Sequence, residues 1–497
     1  MPPRRRPWPD AARWGKNLAA VCALVLAGSA ARGMDPGPVL EWNALFLQVT
    51  RTGNLSPTLC SRNAAVLHLA IYEAVHAIVG THQPYRFRAT PPDPVDAPAA
   101  ATGAGHEVLL SLHPSFTGAA DQLLHDWKAR SPATAAVTNG LAFGREMARR
   151  ILELRAGDGS STQVAYIPSD APGEWRRTPP FYRPPMDPHW RLVRPFALDD
   201  ISPYVAPPPP ALDSHEYTRD FEEVRRLGSK DSVERTPDES QAAMFWSDFS
   251  YTVTPAGHWQ QVASFLIRQQ GTDLAGAARL MALLTLAQAD TAIACWDAKY
   301  RYNSWRPVTA IRRAAEDGNP DTLPDPGWES FLITPNFPEY VSGHAAFSQA
   351  SAAVIRGFYG TDALRFTVGS DGVPGVQRSY EGLQPCVEEV CRSRVFGGIH
   401  FPFASREGKK VGARVAAHVL LHGLLDRAGL PLVRVEVAGE KVRLRVHGDE
   451  TQPLVLEGST DLVRWERLQV VVPVPGGVAV PEFPGGDALR FFRVRRP

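Results

Sequence analysis

The chain has 497 residues, 44% of them hydrophobic, and its 53 Lys and Arg residues nearly balance 52 Asp and Glu residues. A net charge of +1 without a long basic run argues against a protein that binds nucleic acid or a membrane surface by bulk electrostatics. The length exceeds the roughly 250 to 300 residues at which a single core stops growing, so we expect a large domain and a smaller one.

Residues 1–31 have the composition of an export signal. Basic residues precede an apolar run from Leu18 to Ala27, and small residues at 28–31 suit cleavage. The run has about ten residues, fewer than the roughly 20 that a spanning helix needs. We therefore expect an exported protein, periplasmic or extracellular, that does not span the membrane after cleavage. An uncleaved anchor is the alternative.

Helical periodicity dominates residues 35–428, which we predict to form one mainly α domain. The clearest predicted helices cover residues 61–79, 133–154, 274–299, 344–359 and 405–425. Residues 159–213 are rich in proline and predict a long ordered loop that wraps the domain or serves its function.

Residues 430–497 change to alternating apolar and polar residues separated by Gly, Asp, Ser and Pro. This pattern predicts a small antiparallel β domain, similar to a sandwich. Since a fold carries no function by itself, we expect a structural extension without a ligand of its own.

Cys386 and Cys391 lie five residues apart in PCVEEVC. In an oxidising compartment they could close a small disulfide loop, and two buried thiols are the alternative.

The first candidate for chemistry is the segment from Lys299 to Pro307. Lys299 and Arg306 are seven residues apart, about two helical turns, so both cations can point to one side. Pro307 pulls the backbone at Arg306 out of the helical conformation and ends the element there.

The second candidate is FPEYVSGH followed by an apolar helical pattern. Ser342 suits an N-cap, Gly343 leaves the backbone N–H exposed, and a helix begins at His344. Such a helix start attracts anions, and an adjacent histidine can transfer protons near neutral pH. An N-cap with an incidental histidine is the plain alternative.

The third candidate is SRVFGGIH, from Ser393 to His400. Arg394 can bind an oxyanion with its planar guanidinium, and His400 can offer a ring nitrogen to a metal or phosphorus centre.

The combined pattern K-x6-R-P, S-G-H and S-R-x5-H resembles that of the vanadium-dependent haloperoxidases and the acid phosphatases of the type 2 phosphatidic acid phosphatase superfamily. The resemblance covers most of residues 40–425. It implies a mainly α fold of helical bundles around one buried oxyanion, and the length of the domain favours two four-helix bundles.

The resemblance also implies a role for each residue, with vanadate as the cofactor. The groups that hold its equatorial oxygens would be Lys299, Arg306, Ser342, Gly343 and Arg394. His400 would be the axial ligand of vanadium, His344 the acid–base residue, and Lys299 would polarise the bound oxidant. Trp296 and Phe337 match aromatic positions on the halide side of the fungal chloroperoxidase branch, although both could simply be core residues.

Two positions depart from the family pattern. Val341 stands where Pro usually precedes Ser-Gly-His, and Ala404 stands where an Asp commonly fixes the imidazole of the axial histidine. A main-chain carbonyl or Glu407 could replace that Asp. Asp238 is a candidate partner for Arg394.

These residues predict a haloperoxidase that uses hydrogen peroxide to oxidise a halide to hypohalous acid. The first alternative is an exported phosphatase that hydrolyses phosphate esters through a phosphorylated His400. The second is a non-catalytic binding protein with a degenerate site. Whether the protein forms a homodimer is left open.

Overall fold

The structure is a computed structural model that describes residues 34–425 and six strands between residues 432 and 495. The predicted export signal lies outside the described residues. The first helices along the chain are α1 (Gly37–Thr52), α2 (Pro57–Val79), α3 (Ala97–Leu112), α4 (Thr117–Ala129), α5 (Ala135–Leu154), α6 (His215–Leu227) and α7 (Pro237–Phe245). The later helices are α8 (Thr254–Gln269), α9 (Leu274–Tyr302), α10 (Pro307–Arg312), α11 (Gly343–Tyr359), α12 (Leu383–Phe396) and α13 (Pro402–His422). Short 3-10 helices cover Pro114–Phe116, Trp190–Leu192, Ser202–Tyr204 and Ala314–Glu316.

The helices form two packed groups, in agreement with the predicted mainly α fold of helical bundles. In the first group, α2 packs against α3 and α5, and α3 packs against α1, α4 and α5. In the second group, α11 packs against α8, α9, α12 and α13. The long helix α9 contacts α2 as well as α11 and α13, so it belongs to both groups.

Helix α9 is the core helix of this assembly. It is long and apolar enough to cross a membrane by length and composition, but 94% of its most apolar stretch is buried inside the fold. The apolar residues of this helix explain why it was predicted from the sequence almost to its observed end at Tyr302.

Two glycines of α13 allow it to approach α11 closely. A Cβ atom at Gly408 would lie 2.6 Å from the carbonyl oxygen of Ser342, and one at Gly412 would lie 2.2 Å from that of Ala346. Both distances are shorter than any side chain tolerates. The packing of these two helices therefore fixes the position of the first turn of α11.

The proline-rich segment 159–213 wraps the domain, as predicted. Buried Asp290 of α9 accepts hydrogen bonds from the backbone N–H groups of Phe196, Ala197 and Leu198. The carbonyl oxygen of Met186 accepts hydrogen bonds from Trp296 and Tyr300 of the same helix. The segment is thus tied along α9.

The C-terminal strands are antiparallel, as predicted. They are β3 (Leu432–Ala438), β4 (Lys441–His447), β5 (Leu454–Ser459), β6 (Glu466–Val471), β7 (Val478–Pro484) and β8 (Phe491–Arg495). They form two three-stranded sheets with the orders β3-β4-β7 and β6-β5-β8. The division of the chain at residues 428–430 stays a prediction.

Two features of the strands were not predicted. A short hairpin, β1 (Phe366–Gly369) and β2 (Gln377–Tyr380), interrupts the α domain. Strand β7 contains Pro481, and a proline in a sequence argues against predicting a strand there. It is accommodated because β7 is an edge strand and its register with β4 shifts between Val442 and Leu444, opposite this proline.

Candidate functional site

The three candidate segments are called the first, second and third patch, in chain order. The first patch, from Lys299 to Pro307, lies where α9 ends. Helix α9 stops at Tyr302, and Arg306 is the extended N-cap residue of α10, directly before Pro307. The break at Pro307 is therefore as predicted, but the two-turn spacing argument was wrong, since Arg306 is not on the helix of Lys299. The two cations still converge, because Lys299 Nζ and Arg306 Cζ lie 4.9 and 4.8 Å from the ring centre of Phe337.

Lys299 is completely buried and has three main-chain partners. Its ammonium group donates to the carbonyl oxygens of Pro338 and Glu339 at 3.1 Å and of Val341 at 2.5 Å. Burial and the nearby Arg306 charge lower the pKa of Lys299 to about 7, against the opposing effect of Cys295. Three carbonyl oxygens thus engage the three protons of the ammonium group. Lys299 would attract an anion through its charge, and it could donate a hydrogen bond to the anion only after releasing one of these carbonyls.

Arg306 is held by two carbonyl oxygens. Its Nε donates to Phe337 at 2.9 Å, and its Nη1 donates to Ile399 at 2.8 Å. Nη1 also lies 3.2 Å from Nε2 of His400. Within the described residues, the buried Nη2 has no hydrogen-bond partner, so one donor of this guanidinium is free to bind an anion.

The second patch forms the first turn of α11. Ser342 is the N-cap, as predicted, and its hydroxyl oxygen accepts from the N–H of Ala345. Packing does not require glycine at 343, because a Cβ atom there would approach protein atoms no closer than 3.7 Å. Val341 is buried, and its carbonyl is one of the acceptors of Lys299.

His344 faces the third patch. Its Nε2 lies 3.2 Å from Nη1 of Arg394, which can only donate. Burial and then the Arg394 charge lower the pKa of His344 well below its ordinary value, so the ring is neutral.

Arg394 lies in the last turn of α12, and His400 lies between α12 and α13; both side chains are buried. Asp238, the predicted partner of Arg394, instead pairs with Arg378 at 3.0 Å on the surface. The Asp248 charge acts on Arg394 and raises its pKa against the larger lowering effect of burial. Asp248 also lies 3.9 Å from His344 and 3.1 Å from His258.

The ring of His400 is fixed by a residue that sequence reasoning missed. Its Nδ1 lies 2.8 Å from Oε1 of Glu339, which also accepts from the N–H of Phe401 at 3.0 Å. Glu407, one substitute that we considered for the residue missing at 404, pairs with Lys410 at 2.6 Å. The main-chain carbonyl of Ala404 accepts from the N–H of Ser342. The sequence signal that could have drawn attention to Glu339 is its position in FPEYVSGH, the segment that contains Ser342 and His344.

Side-chain contacts bring the three patches together, since Arg306 Nη1 lies 3.2 Å from His400 Nε2 and Arg394 Nη1 lies 3.2 Å from His344 Nε2. Burial lowers the pKa of His400 well below its ordinary value, and the charges of Arg306, Lys299 and Arg394 lower it further. Burial raises the pKa of Glu339 to about 7, although Arg306 and Lys299 oppose that shift. Three buried cations thus surround two neutral imidazoles, an arrangement that favours a bound oxyanion.

Trp296 and Phe337 form an aromatic wall beside Lys299. Their ring centres are 5.2 Å apart, and the Trp296 ring lies 5.8 Å from Lys299 Nζ. Trp296 is buried, whereas Phe337 is half-buried.

Cys386 and Cys391 are buried free thiols, which is the alternative that we weighed against a disulfide. Burial raises the pKa of Cys391 to about 12, so this thiol is unreactive at neutral pH.

Comparison with known proteins finds that the chain is similar to vanadium-dependent peroxidases. Residues 279–424 match the family described as the VCPO second helical-bundle domain. The chain is 25% identical over 408 residues to vanadium chloroperoxidase from Curvularia inaequalis, a match that covers 65% of each protein. The chain thus spans slightly less than two thirds of the length of this relative.

Solved structures agree. The first bacterial vanadium-dependent iodoperoxidase is 28% identical with a TM-score of 0.69, covering 79% of this chain and 97% of that one. The apo form of a bacterial vanadium-dependent chloroperoxidase is 18% identical with a TM-score of 0.59, covering 74% and 94% of the two chains. The latter match supports the fold alone.

Proposed function

We propose that the chain is a member of the vanadium-dependent haloperoxidase family and that it oxidises a halide with hydrogen peroxide to hypohalous acid. The observation that carries this proposal is the convergence of Lys299, Arg306 and Arg394 on the two neutral imidazoles of His344 and His400. The cofactor of this site would be vanadate.

The residues present fit an oxyanion of this kind. Arg306 Nη2 is a buried donor without a hydrogen-bond partner among the described residues, and the backbone N–H of Gly343 belongs to the first turn of α11. The side chains that would hold the oxygens of vanadate are those of Arg306, Arg394 and Ser342, with Lys299 contributing charge. Nε2 of His400 accepts a hydrogen bond from Arg306 and is therefore unprotonated, so it could bind vanadium once Arg306 releases it.

Bound vanadate would supply a Lewis acid that activates hydrogen peroxide without changing its own oxidation state. The side chains of the protein perform the remaining tasks. The three cations would stabilise negative charge on the oxygens, and the unprotonated Nε2 of His344 would accept a proton once Arg394 turns to the bound anion. Burial of the cations excludes water, which strengthens each electrostatic contact.

Trp296 and Phe337 are proposed to line the side from which the halide approaches. Aromatic rings can border a polarisable anion without competing for the hydrogen bonds of Arg306 and Arg394. Because Phe337 is half-buried, it is the member of the pair that solvent can reach.

The experiment compares two reactions of the mature protein, with and without added vanadate. Bromination of a phenol dye that requires both peroxide and vanadate is the expected result. Hydrolysis of p-nitrophenyl phosphate that vanadate inhibits would instead establish the phosphatase alternative. Neither activity, in protein that elemental analysis shows to hold no vanadium, would contradict both enzymes. His400→Ala should abolish the halogenating activity.

We also propose that the protein is exported and that residues 1–31 are removed. The expected mature mass, measured on protein recovered from outside the cytoplasm, lacks this segment.

A further inference from the structure

Glu339 is a buried carboxylate that contacts the proposed axial ligand and the residue after it. Its Oε1 accepts from Nδ1 of His400 at 2.8 Å and from the N–H of Phe401 at 3.0 Å. Building on the proposed function, we infer that Glu339 is the positioning residue of the cofactor site. It keeps the proton of His400 on Nδ1 and thereby presents an unprotonated Nε2.

The hydrogen bonds determine the tautomer. A guanidinium has no acceptor, so the contact between Arg306 Nη1 and His400 Nε2 requires an unprotonated Nε2. A neutral imidazole then carries its single proton on Nδ1, which faces Glu339. Because the same oxygen binds the N–H of Phe401, the carboxylate is also fixed relative to the backbone that carries the ring.

No other carboxylate of the described residues pairs with His400. Glu407 pairs with Lys410, and Asp248 pairs with His258. Ala404, where relatives commonly have Asp, offers a methyl group only. The carboxylate that contacts His400 therefore comes from a residue 61 positions earlier, in the segment that leads into α11.

The surroundings of Glu339 allow a specific test. Glu339 borders a cavity of about 240 Å³ that is also lined by Tyr217, Trp305, Phe401 and Phe403. Its Oε2 makes no hydrogen bond within the described residues. Removing the side chain would enlarge this cavity enough for formate, which can accept from His400 Nδ1 and Phe401 N as the native carboxylate does.

The test measures vanadate affinity by equilibrium dialysis, without peroxide or halide. Glu339→Ala should bind vanadate about 10- to 100-fold more weakly than the unmodified protein. Added formate should restore part of that affinity. The matched control is Glu407→Ala, which should bind normally. In Glu407→Ala and in the unmodified protein the Glu339 side chain is present, so formate has no vacated site to fill. It can only compete with vanadate for the anion site and should not raise the affinity. An unchanged affinity of Glu339→Ala, or the absence of formate rescue, would overturn the inference.

A second readout needs no vanadate. In ¹⁵N-histidine-labelled protein, with His400 assigned by comparison with His400→Gln, the ring should be protonated on Nδ1. The tautomer should become mixed in Glu339→Ala and revert with formate; an Nε2-protonated ring in the unmodified protein would overturn the inference. If the unmodified protein has the expected tautomer but binds no vanadate, the proposed function fails and the positioning by Glu339 stands.

A conservative variant, Glu339→Gln, tests the inference if Glu339→Ala does not fold. The amide oxygen of Glu339→Gln can still accept both hydrogen bonds, so this variant should keep the Nδ1 tautomer and lose less affinity. Protonation on Nε2 in a folded Glu339→Gln protein would count against the inference.

Discussion

Arg394 and His344 share a hydrogen bond in which Nη1 of the arginine donates to Nε2 of the histidine over 3.2 Å. The acid–base candidate is therefore oriented by one of the cations that would bind the cofactor. This contact separates two tasks that substitutions can distinguish, namely holding an anion and moving a proton.

His344→Ala should lower the kcat for halogenation by about a hundredfold to ten-thousandfold, the usual contribution of a positioned acid–base group. Vanadate affinity should change little, because the three cations stay in place. The control is His418→Ala, because the His418 ring shares a hydrogen bond with the Tyr204 hydroxyl away from the site. Equal losses of affinity and kcat in His344→Ala would assign the residue to binding instead.

Arg306→Lys should weaken vanadate binding by about 10- to 100-fold although the charge is kept. A lysine cannot reproduce the separate donors that reach Phe337, Ile399 and His400. Dialysis measures the affinity. Arg312→Lys is the control, because Arg312 also lies on α10 but donates to Trp328. A similar change in both variants would show a general effect on α10.

Gly408→Ala should destabilise the fold by about 1–3 kcal/mol through overpacking, because its Cβ atom would meet the Ser342 carbonyl at 2.6 Å. Gly118→Ala, on the exposed helix α4 with no atom within 4 Å of its Cβ, should instead stabilise it by about 0.5–1 kcal/mol. Urea unfolding measures both. A stable Gly408→Ala protein would mean that α11 and α13 can separate without cost.

Stability should fall as the pH drops below about 6.5, through two buried histidines. Burial lowers the pKa of His68 from 6.5 to about 3 and that of His113 from 6.5 to about 4. Both rings stay neutral in the folded protein while the unfolded chain binds protons. As the pH falls from 6.5 to the pKa of the folded state, each histidine therefore lowers the free energy of unfolding by about 1.4 kcal/mol per pH unit.

The variant His68→Gln isolates one of these terms. Glutamine can still donate to Asn43, the partner of the His68 Nε2, but it does not titrate. Its urea midpoint should depend less steeply on pH between 5 and 6.5 than that of the unmodified protein. Identical slopes would show that His68 is not neutral in the fold.

Local patterns in the sequence predicted the longer helices α2, α5, α9, α11 and α13 and singled out the residues proposed to bind the anion. Ser342 and Pro307 mark their helix starts through local chemistry, and the apolar residues of α9 report its burial. Glu339 and Asp248 could not be assigned, because their partners His400 and His344 are distant in the chain and no periodicity links them. Glu407 was considered because it is near His400 in the sequence, and Asp238 was considered without any pattern that links it to Arg394. They pair instead with Lys410 and Arg378.

The donors of the site come from the end of α9, the starts of α10 and α11, and the end of α12, and α13 holds α11 through Gly408 and Gly412. No single segment can assemble this anion cradle before the others dock. An oxyanion that binds there therefore binds the native state alone, and each hundredfold excess over its Kd raises the unfolding free energy by about 2.7 kcal/mol. The ligand would thus couple α9, α10, α11 and α12 into one cooperative unit.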